Sequence, residues 1–200
     1  MDLLFGTTNP GKLRELRRLV AGTPIRVVSP ADLGRALPEV EEDGRTFEEN
    51  ARKKAVAHAR ASGLHALADD SGLCVDALGG RPGVHSARYA EGGDRARYEK
   101  LLRELEGVEP SKRTAAFRCA LCLAVPGREP IVEFGECPGV IGEAPRGEHG
   151  FGFDPVFYLP ELGRTMAELT RDEKGRLSHR GRAFEKMRPH LAKLAAPSGP

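Results

Sequence analysis

A mostly apolar run, Leu64 to Ala68, stops at two adjacent carboxylates, Asp69 and Asp70, and Ser71-Gly72 follows. Neighbouring strand residues point to opposite faces of a sheet. A strand through this stretch therefore sends Asp69 and Asp70 in opposite directions. One carboxylate can enter a cleft while the other is tied into local hydrogen bonds. The Ser-Gly pair predicts a turn directly after the acids, and α/β proteins place reactive side chains where strands end. A solvated acidic turn fits the stretch equally well when it is taken alone.

The chain has 200 residues, 40% of them apolar, enough for a real core in one domain or two intimate lobes. A formal net charge of +2 argues against a protein that wraps nucleic acid. No apolar stretch approaches the length of a membrane span. The start, Met1 to Phe5, lacks the basic and apolar regions of a signal peptide, so the cytoplasm is the expected compartment. Cys119 and Cys122 form a C-x-x-C inside a strand-like run. An odd separation puts the two thiols on opposite faces, so they read as buried core groups and not as a metal site.

Leu3 to Gly6 predicts a first buried strand running into Thr7-Thr8-Asn9-Pro10-Gly11-Lys12 and a helix. Asn9 is a good N-cap and Pro10 suits the first helical position. Lys12 stands against the helix dipole, a placement that makes sense if an anion sits there, with free backbone N–H groups completing a phosphate site. An ordinary capped helix with a surface lysine is the alternative. The spacing is not that of a Walker A loop. Pro30 to Leu37 predicts a short helix. An acidic linker over 38–44 carries Glu39, Glu41, Glu42 and Asp43. Thr46 with Glu49 predicts a capping box opening a helix to Ser62, with Ala51, Ala55 and Ala59 along one side and Arg52, Lys53 and Lys54 partly on another.

Downstream, Asp94 to Leu105 predicts an amphipathic helix, and Arg113 to Val125 with Pro130 to Ile141 an antiparallel hairpin. Gly150-Phe151-Gly152-Phe153-Asp154-Pro155 is a glycine-rich loop whose aromatics either stack on a flat heterocycle or pin the loop to the core. Lys174, His179 and Arg180 put cations at the start of the last helix, which Ser178 caps and Pro189 kinks or weakens. Residues 196–200 read as a disordered tail.

Two basic helix starts, an acidic pair, an acidic linker and an aromatic loop together favour an enzyme that hydrolyses a nucleotide. The motifs Thr8-Asn9-Pro10-Gly11-Lys12, Thr46-Phe47-Glu48-Glu49-Asn50-Ala51, Ala68 to Leu73, Ser86-Ala87-Arg88-Tyr89, Gly150 to Pro155 and Ser178-His179-Arg180-Gly181 occur in this order. Together they resemble the inosine triphosphate pyrophosphatase family of Ham1-type enzymes, the dITP/XTP diphosphatases. Thr8 and Phe153 depart from the residues many members carry there, glycine and tyrosine.

The resemblance implies an α/β fold with a long mixed β-sheet, flanking helices and two lobes around a central cleft, over residues 1–195. It implies a homodimer, magnesium dependence, and hydrolysis of dITP, ITP or XTP to the monophosphate and pyrophosphate, cleansing the nucleotide pool. By matching position, Thr7, Thr8, Asn9, Pro10, Gly11 and Lys12 bind the triphosphate. Asp70 is the proton acceptor and a metal ligand. Ser71, Phe151, Gly152, Phe153, Asp154, Lys174, His179 and Arg180 bind substrate. Glu41, or Glu42 if the linker register slips, is the second magnesium ligand. A binding module without catalysis and an enzyme cleaving the γ-phosphate are the competing classes.

Overall fold

The computed structural model describes residues 1–34 and 36–196. Its strands are β1 (Asp2–Phe5), β2 (Arg26–Val28), β3 (His65–Val75), β4 (Thr114–Ala124), β5 (Ile131–Ile141), β6 (Phe157–Leu159) and β7 (Arg164–Thr165). They form one sheet in the order β2-β1-β3-β4-β5-β6-β7. The helices are α1 (Pro10–Leu19), α2 (Phe47–Ser62), α3 (Gly93–Glu104), α4 (Arg171–Leu177) and α5 (His179–Ala195). The sheet is mixed. β1 pairs parallel with β2 and β3, with Leu4 opposite Val28 and Ala66, whereas β6 pairs antiparallel with β5 and β7.

β4 and β5 are hydrogen-bonded neighbours joined only by residues 125–130. Parallel strands need a far longer crossover, so this pair is the expected antiparallel hairpin. Its turn has Pro126 followed by Gly127 at φ 77°, and Arg128 N–H donates to the Val125 carbonyl at 3.0 Å, the pattern of a type II turn.

The chain divides into two compact units. One takes Met1–Asp70, Cys119–Gly135 and the chain from Arg180 on; the other takes Ser71–Arg118 and Glu136–His179. In the first unit the period-2 alternation of the strands is directly visible. Leu3, Phe5, Leu67, Cys119, Leu121 and Leu123 pack with Leu16 of α1 and Phe184, Met187 and Leu191 of α5. Leu4, Ala66, Ala68, Ala120, Cys122 and Ala124 pack with Ala51, Ala55 and Ala59 of α2. The small alanines let α2 lie close to its face. Cys119 and Cys122 are free, buried and in different clusters, as their spacing requires. The second unit has its own core, including Leu73, Val75, Leu101, Leu105, Phe117, Ile141, Phe153 and Phe157. None of the helices among the described residues is long and apolar enough to cross a membrane.

The structure corrects three local expectations. β3 does not end at the acids but runs unbroken through Asp69-Asp70-Ser71-Gly72. Gly72 marks a close approach instead of a turn. A Cβ there would overlap the Gly83 carbonyl oxygen and the Ser86 hydroxyl, and the same hydroxyl accepts from Leu73 N–H at 2.9 Å. Helix α4 was not expected, although Thr170 and Glu173 form a capping box that announces it. α5 runs from His179 to Ala195 with Pro189 inside it, and Met187 and Leu191 on either side are buried. The short helix expected over 30–37 is a single 3-10 turn, Ala31–Leu33, while Arg35 lies outside the described residues. Of the expected tail, residues 197–200 also lie outside them.

Gly72→Ala forces a methyl into backbone and a buried hydroxyl. It is expected to lower stability by about 1–3 kcal/mol, read as a fall in Tm by calorimetry.

Candidate active site

The first unit assembles a charged cluster around the middle of β3. The alternation of the strand sets the directions: Asp69 follows Leu67 toward α1 and α5, and Asp70 follows Ala68 toward α2. Asp69 is 2% exposed. Its Oδ2 lies 3.0 Å from Lys12 Nζ and 3.2 Å from Arg180 Nε. Arg180, also buried, makes a second ion pair with Glu15 of α1. Burial alone would raise the Asp69 pKa. The charges of Lys12, Arg180 and Lys54 outweigh it and hold the carboxyl far below its ordinary range.

Lys12 is positioned by a tightly capped helix start. Asn9 Oδ1 accepts from Gly11 N–H at 2.8 Å and Lys12 N–H at 3.2 Å, and Thr7 Oγ1 accepts from Asn9 N–H at 3.2 Å. The N–H groups of Gly11 and Lys12, expected from the sequence to await an anion, are thus taken by the cap. The anion that Lys12 meets is Asp69. Pro10 and Thr8 are exposed, and Thr7 and Asn9 are half-buried.

Asp70 stands on the other face of the strand, where Asn50 Nδ2 donates to its Oδ2 at 2.8 Å. Asn50 is fully buried, and its own Oδ1 accepts from Gly44 N–H at 2.8 Å. One amide therefore orients the carboxylate and ties down the end of the acidic linker. One helical turn on, Lys54 Nζ donates to the Asp69 carbonyl at 2.7 Å and to Glu42 Oε1 at 3.0 Å. Burial pushes the Asp70 pKa above the ordinary aspartate range, with Lys54, Asn50 and Lys12 opposing and the charge of Glu42 assisting. Of the linker acids, Glu42 is the one held near Asp70. Glu41 is exposed and lines an open groove of about 590 Å³ with Pro38, Arg52 and Lys53.

Asn50 and Lys54 were not singled out from the sequence. The signal was available: Asn50, Lys54 and His58 recur at i, i+4, i+8 beside the alanine stripe, and all six residues are buried. Lys54 belongs with this inward face and not with half-buried Arg52 and exposed Lys53.

The second unit arranges the aromatic loop. Asp154 Oδ2 accepts from Phe151 N–H at 2.8 Å and pairs with Lys174, whose Nζ lies 4.6 Å from the Phe151 ring centroid. Gly152 N–H donates to Asp94 Oδ2 at 2.7 Å, so α3 also anchors the loop. Phe153 is buried edge-on against Tyr89, at 6.2 Å between centroids, and pins the loop to the core. Phe151 keeps partial exposure, as does Ser71 on β3. The His179 ring stacks on Phe117 at 4.9 Å with 15° between planes. Lys174 serves Asp154 from within α4, and Arg180 serves Asp69 and Glu15 in the first unit.

A model of the Ham1 family matches residues 3–190. The chain is 55% identical to a dITP/XTP pyrophosphatase of Anaeromyxobacter dehalogenans (strain 2CP-C), over 98% of this chain and 99% of that protein. It is 49% identical to a dITP/XTP pyrophosphatase of Bacillus subtilis (strain 168), over 93% and 94% respectively. Among solved structures, a HAM1 protein from Coxiella burnetii is similar with a TM-score of 0.86 and 40% identity, over 96% of this chain and 99% of that one.

The Asp69 network has a defined pH signature. A carboxyl whose pKa is depressed by folding contributes its full stabilisation above the unfolded value of about 3.9, and loses it as pH falls toward the folded value. Asp69→Asn removes the buried carboxylate that half-buried Lys12 and buried Arg180 share, so it is expected to lose roughly 3–5 kcal/mol at pH 7. The difference from wild type narrows steadily below pH ~4. Urea unfolding at both pH values checks this, and equal stability at pH 7 contradicts it.

Proposed function

This chain belongs to the Ham1 family, and on that premise we propose that it hydrolyses non-canonical purine nucleoside triphosphates, dITP, ITP and XTP, to the monophosphate and pyrophosphate. One observation carries the reading beyond the likeness. Asp70 is a buried carboxylate of raised pKa, oriented by Asn50, within the fields of Lys54 and Lys12. That is the setting of a general base beside a polyanion.

The donor set fits a divalent cation. Magnesium takes one or two protein carboxylates and completes its shell with substrate phosphates and water. Asp70 and Glu42 are two such carboxylates, and the charge of Glu42 pushes the Asp70 pKa upward. Among the described residues no group of three or more His, Cys, Asp or Glu could hold a metal, which suits a site whose remaining ligands come with the substrate. We assign Glu42, in preference to Glu41, as the linker ligand. Bound there, the cation offsets phosphate charge and polarises the anhydride.

The side chains then take these roles. Asp70 orients a water in line with the α-phosphorus, opposite the pyrophosphate leaving group, and accepts its proton. Lys12 offsets charge on the phosphates, and Thr7 to Gly11 line their path. Phe151 stacks on the purine while Asp154 holds Lys174 in place. Donors from Lys174 and His179 facing the 6-oxo acceptor of inosine and xanthine reject adenine, which presents a donor there. A further donor near C2 repels the 2-amino group of guanine and accepts the 2-oxo of xanthine. A homodimer working in the cytoplasm belongs to the same proposal, on the sequence alone.

Incubation with magnesium and ITP, XTP, ATP or GTP, scoring pyrophosphate against orthophosphate, tests the reading. Pyrophosphate from ITP and XTP is expected; orthophosphate would mean γ-phosphate cleavage, and binding without product a non-catalytic module. Comparable kcat/KM for ITP and GTP would overturn the base-recognition scheme.

Asp70→Asn is expected to lose about 10²–10⁴-fold in turnover while still binding nucleotide. Its stability runs the other way. A raised carboxyl pKa means the folded state holds that charge at a cost, present at neutral pH and relieved as pH falls through the folded value. The variant is therefore at least as stable as wild type at pH 7, measurable by thermal unfolding. A near wild-type rate would remove Asp70 from the role of base.

A further inference from the structure

His58 is the third member of the polar stripe of α2, one i+4 step beyond Lys54, and it is 8% exposed. No step of the hydrolysis uses it. Its ring faces the backbone of Pro38, which acts to raise its pKa. Nδ1 is buried without a hydrogen-bond partner among the described residues. Burial pushes its pKa below the ordinary imidazole value, against the pull of the Pro38 backbone and helped by the charge of Lys54.

The other edge of the ring meets Gly6. A Cβ on Gly6 would lie 2.7 Å from His58 Cε1 and nearer still to Nδ1. Gly6 is not among the glycines with positive φ, so the backbone does not require glycine there. The imidazole does. Gly6 donates to the Leu67 carbonyl at 2.9 Å and leads directly into Thr7 to Lys12. Pro38 leads directly into the linker that carries Glu41 and Glu42.

We propose that His58 is a positioning residue for the hydrolytic site: wedged against Gly6 and facing the Pro38 backbone, it holds the root of the Thr7–Lys12 loop and the root of the acidic linker to the helix that orients Asp70. The proposal rests on the reading of the site given above. It assigns a purpose to the smallest residue at position 6 and to the only member of the stripe that touches neither acid of β3.

Four variants test it: His58→Ala, His58→Gln, Gly6→Ala and the double variant Gly6→Ala with His58→Ala. The readouts are kcat/KM for ITP with magnesium, Tm, and hydrogen exchange of peptides covering residues 5–12 and 36–44. His58→Ala is expected to lose about 10–100-fold in kcat/KM, the usual effect of removing a partner that orients a catalytic shell, with faster exchange in both segments. His58→Gln keeps a polar group facing Pro38 but not the ring, so exchange rises chiefly over 5–12; this variant serves if the alanine does not fold. Gly6→Ala displaces the ring and so raises exchange over 36–44 as well, a segment that the new methyl does not touch. In the double variant the methyl enters space the ring has left, and kcat/KM recovers at least about tenfold over Gly6→Ala alone. Unchanged exchange and activity in His58→Ala, or a Gly6→Ala effect confined to 5–12, would overturn the proposal. Failure of the wild type to release pyrophosphate from ITP would instead overturn the functional reading, and the exchange results would still judge His58.

Discussion

Asp69 holds the first unit's charged cluster together. Its carboxylate receives the ammonium of Lys12 and the guanidinium of Arg180 in a site closed to solvent, and Arg180 passes the connection on to Glu15. Burying ions is expensive, and such a network adds less net stability than its short distances suggest. Its consequence is positional. α1 and α5 both send a cation to one carboxylate of β3, so the start of α1 cannot shift without stranding a buried charge. The loop from Thr7 to Lys12 inherits that rigidity, reinforced by the Asn9 cap.

The opposite face of the same strand is built to another end. Asp70 keeps its charge at a cost, because burial raises its pKa while Lys54, Asn50 and Lys12 work against that. A carboxylate destabilised in this way is a better proton acceptor, and the stability given up there is the usual cost of a working site. Helix α2 makes the arrangement affordable in space. Its alanines bring the backbone close to the sheet, and the adjacent stripe of Asn50, Lys54 and His58 then reaches Asp70, Asp69, Glu42 and Pro38.

In the second unit the same economy appears around Asp154, which accepts from the Phe151 N–H and pairs with Lys174. A carboxylate inside the loop closes the turn and aims the lysine across the Phe151 ring. Phe153 is the anchor that lets Phe151 stay partly exposed. Two phenylalanines one residue apart thus do different work, a division set by which ring finds Tyr89.

The sequence determined the fold class, the order of the main elements and the opposed directions of Asp69 and Asp70. The last two follow from local rules, namely period-2 alternation, capping residues, and turn chemistry such as Pro126-Gly127, and the fold class follows from the family likeness. It also carried the family likeness, since the motifs are contiguous and keep their order. What it could not decide were matters of partnership. Gly72 reads locally as a turn, and only the approach of Gly83 and Ser86 makes it the middle of a strand. Lys12 reads locally as a cation awaiting an external anion, and only the distance to Asp69 shows an internal one. Glu42 rather than Glu41 faces Lys54 because the irregular linker has no period from which a side-chain direction could be read. His58 finds its place only when Gly6, 52 positions earlier, is brought against its ring. Local sequence sets backbone conformation and facing, but a charge or an imidazole acquires its partner through contacts between segments far apart in the chain, and those exist only once the sheet is assembled.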